Sequence, residues 1–259
     1  MSAVKIGIQV HPQHCSFADY RKAWLALDDL GVDTIWTWDH FFPLYGDRNG
    51  PHFEGWTTLS VLGALTKRAT VGCLVLCMSY RNAALLSQMS KTLDHAIDGR
   101  LILGVGAGWA ERDYNEYGYE FGTPGTRLKN LERSLEVIKS RWAIDPPPQL
   151  RGTIPIMVGG GGEKVTLRIT AQHGDLWNGF GTAEQWSGKN AILDDWCAKV
   201  GRDPAAIERT ITLPEGPVPS TADLEAFVAA GASHLIFRIG APFDLTPVKQ
   251  LLAWRDGRG

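Results

Sequence analysis

Trp36-Thr37-Trp38-Asp39-His40-Phe41-Phe42-Pro43 is the stretch that orients everything around it. It reads as a β-strand that delivers two titratable side chains at its end. Side chains alternate along a strand, so Ile35, Thr37 and Asp39 share one face and Trp36 and Trp38 the other. The expectation is that the tryptophan face packs on helices while the Asp39 face looks inward, with His40 just past the rim. The competing reading makes Asp39 a helix N-cap and His40 a surface residue, but no helical pattern follows directly.

Working outward, strand-like runs alternate with amphipathic runs along the whole chain. The expected strands are 4–11, 34–39, 69–76, 100–106, 155–159, 175–178, 207–213 and 233–239. Helical patterns follow them at 17–30, 56–67, 83–97, 126–142, 164–173, 183–200, 221–230 and 246–255. Eight βα units in order imply a parallel sheet with right-handed crossovers, and eight strands close a barrel. The expected fold class is therefore α/β, a single (β/α)8 TIM-barrel domain over residues 1–259, with a doubly wound open sheet as the alternative. In such a barrel, chemistry sits at the C-terminal ends of the strands, which is where Asp39 and His40 fall. The long polar segment 41–55 follows the second strand and is expected to overhang that face. Before strand five, Asp145-Pro146-Pro147-Pro148-Gln149 reads as a stiff linker.

The chain has 259 residues, 44% of them hydrophobic and 21% charged, enough to bury a core without covalent staples. A net charge of −2 leaves no electrostatic footprint for nucleic acid or a membrane surface. The start of the sequence runs straight into a strand pattern, and no apolar run approaches membrane-spanning length. Cys73 and Cys77, if on one strand, stand ~13 Å apart, too far to bridge. The cysteine spacings match no zinc or disulfide framework, so a reduced cytoplasmic protein is expected. Ten tryptophans are unusual, and some are expected to line a site for a planar ligand.

Two glycine clusters follow strands. Val158-Gly159-Gly160-Gly161-Gly162-Glu163-Lys164 opens the next helix and fits neither nucleotide-binding glycine motif. It reads as a phosphate cradle built from backbone N–H groups, with Lys164 in the first helical turn and Arg168 one turn on. A tight turn alone needs fewer glycines. In Leu103-Gly104-Val105-Gly106-Ala107-Gly108-Trp109, Gly104 and Gly106 alternate onto one face, where something bulky can approach the backbone. His11, His14 and Cys15 gather at the end of the first strand, but they do not make the alternating pair that projects ligands inward, so no metal is expected. Arg238 on the last strand needs a partner, either an anionic ligand or Asp39.

Taken together these motifs resemble the luciferase-like monooxygenase superfamily, in particular its branch that uses the deazaflavin coenzyme F420. The resemblance is carried by residues 38–43, by Phe53-Glu54-Gly55-Trp56-Thr57-Thr58-Leu59, by Ser79-Tyr80-Arg81-Asn82 and by the run from Gly99 to Trp109. The four-glycine turn, residues 171–178 and residues 200–204 extend it. It implies a TIM barrel with F420, or alternatively FMN, at the C-terminal face. It places Asp39 against the deazaflavin end and makes His40 the catalytic residue near the reacting carbon. It further implies a non-prolyl cis peptide at Cys73–Leu74 that props the ring. The cofactor's side chain and phosphate would be held by Gly106, Ala107, Gly108 and Trp109 and by Gly159, Gly160, Gly161, Gly162 and Lys164.

The implied activity is an F420-dependent oxidoreductase moving hydride between the deazaflavin and a small organic substrate with a C=C, C=N or C=O bond. The alternatives are an FMN-dependent monooxygenase and a cofactor-binding paralogue without turnover. The expected partners are a small-molecule substrate and a second copy of the chain in a homodimer. Two departures from the family pattern stand out. The sugar-phosphate dehydrogenases of the branch carry a Glu acid where this chain has Trp109. Only residues 144–153 fill the place of the lid-like insertion before strand five. His40, with an intrinsic pKa near ~6.5, suits a proton donor or acceptor beside a hydride transfer.

Overall fold

The computed structural model describes residues 4–214 and 216–258. Strands β1 (Lys5–Val10), β2 (Thr34–Thr37), β3 (Thr70–Cys73), β4 (Leu76–Cys77), β5 (Leu101–Gly106), β6 (Ile156–Gly159), β7 (Leu176–Gly179), β8 (Glu208–Thr212) and β9 (His234–Ile239) are all parallel. β1 pairs with both β2 and β9, and β3 pairs with both β2 and β5, which closes the ring. The two-residue β4 continues the line of β3 beyond a break and pairs with β5 near the mouth. The expected (β/α)8 barrel is thus the observed fold.

The helices are α1 (Phe17–Leu30), α2 (Gly55–Leu65), α3 (Ala83–Ala96), α4 (Glu111–Tyr117), α5 (Pro124–Ile144), α6 (Thr166–His173), α7 (Ala183–Val200), α8 (Thr221–Ala229) and α9 (Thr246–Asp256). Local chemistry explains most boundaries. Ser16, Asn82, Thr123, Thr182 and Ser220 each accept a backbone N–H as an N-cap, and Gly31 ends α1 in the left-handed conformation at φ 80°. Only α4 lacks an expected counterpart. Its seven residues carry no apolar stripe, and its N-cap Ala110 makes no side-chain bond.

The face assignment of β2 is reversed from expectation. Ile35 lies in the layer between barrel and helices, and Thr37 accepts a hydrogen bond from Tyr20 of α1 at 3.0 Å. Trp36 instead fills the barrel with Leu74, Ile102, Met157, Leu176 and Ile236. The space comes from glycine. A Cβ at Gly72 would lie 2.5 Å from the Trp36 ring, and one at Gly104 would lie 3.7 Å from it. The indole N–H is satisfied inside, donating to Thr34 Oγ1 at 2.7 Å, and Thr34 in turn meets His234 Nε2 at 2.8 Å. Glu208 closes this chain 3.2 Å from His234 Nδ1. Burial pushes the Glu208 carboxyl up, but His234 and Lys5 outweigh it and hold the group at about 2.

Segment 144–153 stands directly before β6, the fifth strand of the ring, as expected. It follows a helix, so it runs at the N-terminal end of the barrel, bonding Asp94 and Asp98 at the end of α3. The insertion beside the mouth is residues 107–123, which hold α4.

A Cβ at Gly104 would fall 2.0 Å from the Cys73 carbonyl oxygen. Because backbone cannot yield as a flexible side chain does, Gly104→Ala is expected to cost about 2 kcal/mol or more of stability. Denaturant unfolding of the purified variant checks this.

Candidate active site

The mouth of the barrel holds a cavity of about 370 Å³. Leu74 and Val75 form its floor, Gly106, Ala107, Gly108 and Trp109 one wall, and Gly159, Gly160 and Thr166 another. Trp38, Asp39, His40, Tyr45, Phe180 and Arg238 are among the other residues that line it. The floor projects because Val75 has no side chains beneath it. Cβ atoms at Gly106 and Gly159 would sit 2.6 and 2.8 Å from its methyl groups. Gln9, buried on β1, donates to the Leu74 carbonyl at 2.7 Å and fixes this step from inside. The non-prolyl cis bond is Leu74–Val75, one residue later than the resemblance implied.

Asp39 lines the cavity but is spent as a structural anchor. Its two oxygens take both ends of the Arg81 guanidinium at 2.6 and 2.8 Å, and Oδ2 also accepts the Cys77 N–H at 2.9 Å. Arg81 further pairs with Glu54, whose carboxylate caps α2 by accepting from Trp56 and Thr57. Burial alone would lower the Arg81 pKa; Asp39 and Glu54 raise it. Arg238 is therefore not the partner of Asp39; it donates to the Leu213 carbonyl at 3.3 Å.

His40 has a partner that sequence reasoning missed. Its Nδ1 stands 2.6 Å from Asp113 Oδ2, and Asp113 is 2% exposed. The same carboxylate receives longer contacts from Tyr80 Oη at 3.3 Å and the Phe41 N–H at 3.4 Å. Burial pushes the Tyr80 phenol up, which keeps it a donor. Asp113 comes from α4, which has no periodicity to announce it. The signal available was a pair of carboxylates, Glu111 and Asp113, three to five residues after the Gly106-Ala107-Gly108 turn. Arg112 beside it ties α4 to the 41–55 segment through the Arg48 carbonyl and Asn49 Oδ1.

His52 sits behind Trp38 and accepts its indole N–H on Nε2 at 2.8 Å. Burial, followed by the nearby His40, lowers its pKa to about 4. His11 stacks on Trp38 with ring centroids 4.3 Å apart. Among the described residues no group of three or more His, Cys, Asp and Glu is placed to hold a metal ion.

The glycine turn differs in detail from expectation. Gly160, at φ 122°, accepts the Trp177 indole N–H through its carbonyl at 2.9 Å. Lys164 is exposed and precedes α6 rather than lying in its first turn. Arg168 is engaged by Glu132 and Gln172. The cation beside the turn is Lys189 of α7, whose Cε would stand 3.9 Å from a Cβ on Gly161 and whose Nζ pairs with Glu163 at 2.5 Å. Cys73, Gly161, Gly162 and Lys164 lie outside the residues that line the cavity. Cys73 is fully buried in the layer between barrel and helices.

The family model of luciferase-like monooxygenases matches residues 2–230. The chain belongs to that family. Among relatives, an F420-dependent glucose-6-phosphate dehydrogenase of Amycolatopsis mediterranei is 28% identical over 144 residues, covering 55% of this chain and 43% of that protein. The chain thus spans less than half the length of that relative. A dehydrogenase of the same description from Segniliparus rotundus is 26% identical over 239 residues, covering 81% and 68%. Among solved structures, an F420-dependent secondary alcohol dehydrogenase in complex with an F420-acetone adduct superposes with a TM-score of 0.85 at 16% identity, covering 98% of this chain and 99% of that one. This last likeness establishes the barrel.

Two expectations follow from the site. Asp39→Ala leaves the buried Arg81 without its main partner and should cost about 3–5 kcal/mol, read as a fall in the unfolding midpoint. The second concerns His52. Its folded pKa lies below the ordinary histidine value, so the unfolded chain binds more protons between about pH 6.5 and 4. Its contribution to stability is complete above that window and is lost as pH falls through it. Melting temperatures measured from pH 7 to 4 should fall less steeply in His52→Gln than in wild type.

Proposed function

We propose that this chain is an F420-dependent oxidoreductase, in which Leu74 and Val75 would support the deazaflavin and His40 is the group that moves a proton. The observation that carries this reading is the pairing of His40 with Asp113 at the edge of an apolar, glycine-walled cavity. When bound, F420 supplies hydride chemistry in two-electron steps. Gly106, Gly108, Gly159 and Gly160 present backbone instead of side chains to the cavity, which suits close approach of a flat ring. The F420-dependent relatives support the cofactor choice.

The residues divide the work. Asp113 accepts from Nδ1 and so leaves Nε2 as the ring nitrogen for a substrate oxygen or nitrogen. With Nε2 unprotonated the imidazole is a general base for oxidising an alcohol; protonated, it is a general acid for reducing a C=O or C=N bond. Tyr80 and the Phe41 N–H hold the carboxylate, so the ring keeps one orientation. Gly159 and Gly160, with the uncapped start of α6, would take the cofactor's phosphate, and Lys189 rather than Lys164 would add charge there. A Trp at position 109 in place of an acid argues against sugar phosphate as substrate. A small-molecule substrate and a reduced, cytoplasmic setting complete the proposal; the described cysteines are free.

Fluorescence titration should give F420 a Kd at least tenfold below that of FMN. Tighter FMN binding would favour the monooxygenase. His40→Ala should cut turnover by roughly 10²–10⁴-fold with F420 affinity little changed. Asp113→Asn should lower kcat and displace the pH profile, because it removes the charge that holds the imidazole. An unaltered profile would reduce Asp113 to a packing residue. The salt dependence of F420 binding should weaken in Lys189→Ala and persist in Lys164→Ala.

A further inference from the structure

Asp113 sets the ring of His40, so whatever holds α4 in place also holds that pair. The helix has seven residues and no side-chain N-cap, and it runs between Gly108 at φ 81° and Gly118 at φ 74°. A helix this short depends on contacts made from outside. Successive helical residues turn by about 100°, so Arg112 and Tyr114 stand on opposite sides with Asp113 between them. Tyr114 is buried, and its hydroxyl meets Cys77 Sγ at 3.0 Å. The other side is held by Arg112. Its guanidinium donates to the Arg48 carbonyl at 2.5 Å, to Asn49 Oδ1 at 2.7 Å and to Glu116 Oε1 at 2.6 Å, and it lies 3.9 Å from the centroid of the Phe42 ring. Three acceptors and a ring face use the whole planar fork, which a lysine ammonium cannot copy.

Arg48 and Asn49 belong to the far end of segment 41–55. The near end of that segment is tied to the chain just after β1. The His14 N–H donates to the Pro51 carbonyl and the Phe53 N–H to the Pro12 carbonyl, both at 2.9 Å. Leu44 and Tyr45 of the same segment line the main cavity. Between the segment and α4 the packing is incomplete. A second cavity of about 220 Å³ lies there, lined by Pro43, Arg48, Glu111 and Arg112 among others, and it shares Leu44 and Trp109 with the main one. Arg112 crosses this gap. Where side chains do not interlock, hydrogen bonds set the spacing of the two elements.

We propose that Arg112 is a positioning residue for proton transfer at His40. By latching segment 41–55 to α4 it keeps Asp113 at hydrogen-bond distance from the imidazole and Leu44 and Tyr45 at the cavity. This rests on the reading of His40 as the group that moves a proton. Magnitudes separate the latch from an ordinary surface ion pair. The Arg112 side chain is 28% exposed and that of Glu116 50%, and pairs so placed add little to stability. A displacement of about 1 Å in a catalytic group can nevertheless cost about 10²-fold in rate. Loss of the latch should therefore disturb His40 while leaving the unfolding midpoint nearly unchanged.

The test uses NMR of the cofactor-free protein with its histidines labelled with nitrogen-15. The His40 Nδ1–H proton, bonded to a buried carboxylate, should appear far downfield, assigned by its loss in His40→Ala. Its exchange with water should be about tenfold faster in Arg112→Gln, because local opening of α4 then exposes it. Arg112→Lys, which keeps the charge and loses the fork, should behave like Arg112→Gln. Asn49→Ala, which breaks the latch from the other side, should also speed exchange, and the double variant should be no faster than Arg112→Gln alone, since both remove one bond. Wild-type exchange in Arg112→Gln, or in Arg112→Lys, overturns the latch, as does strict additivity with Asn49→Ala. Absence of the downfield proton from the wild type overturns it too. If the variants speed exchange but His40→Ala keeps full turnover, the latch stands and the reading of His40 as the proton-moving group falls.

Discussion

The bidentate ion pair between Asp39 and Arg81 is the interaction on which the mouth of this barrel depends. It joins the end of β2 to the segment between β4 and α3, and through Glu54 to the start of α2. Both charged groups are largely removed from water, which is costly unless every lone pair and proton finds a partner. Here the carboxylate takes two guanidinium N–H groups and one backbone N–H. With three elements pinned at one point, His40 next in sequence has a fixed point of departure, and Asp113 then sets its ring.

Below that point the barrel is organised by a volume constraint. An indole on an inward-facing strand position needs glycine opposite, and Gly72 and Gly104 supply it. A step higher, Gly106 and Gly159 leave room for Val75, so the floor rises toward the mouth. The glycines of β5 thus serve packing at 104 and the shape of the cavity at 106. The same residue type at 160 allows a left-handed turn that leads toward α6.

The aromatic residues divide by depth. Trp36 and Trp177 are wholly buried, with indole N–H groups satisfied at Thr34 and Gly160. Trp38 is buried, stacked on His11 and hydrogen-bonded to His52, and lines the cavity beside His40. Trp109 and Phe180 are left in solvent at the rim. The indoles thus pass from buried in the barrel to exposed at its rim.

Much of this was legible in the sequence because periodicity is a local property. The helices 17–30 and 183–200 begin and end where their caps and apolar spacing place them, and the strand order of a (β/α)8 barrel follows from eight alternations. Asp39 and His40 could be placed at a strand end, and the glycine clusters beside them. What the sequence left open were facts of three-dimensional neighbourhood. Alternation separates Trp36 from Thr37 but does not say which face is inside; the glycines on other strands decide that. A lone Asp in a short, uncapped, polar helix gives no sign that it will meet a histidine 73 positions earlier in the chain. Asp39 meets Arg81 rather than Arg238, and Lys189 rather than Lys164 reaches the glycine turn. Charges choose partners by distance across the closed barrel, and only the closure of the barrel fixes those distances.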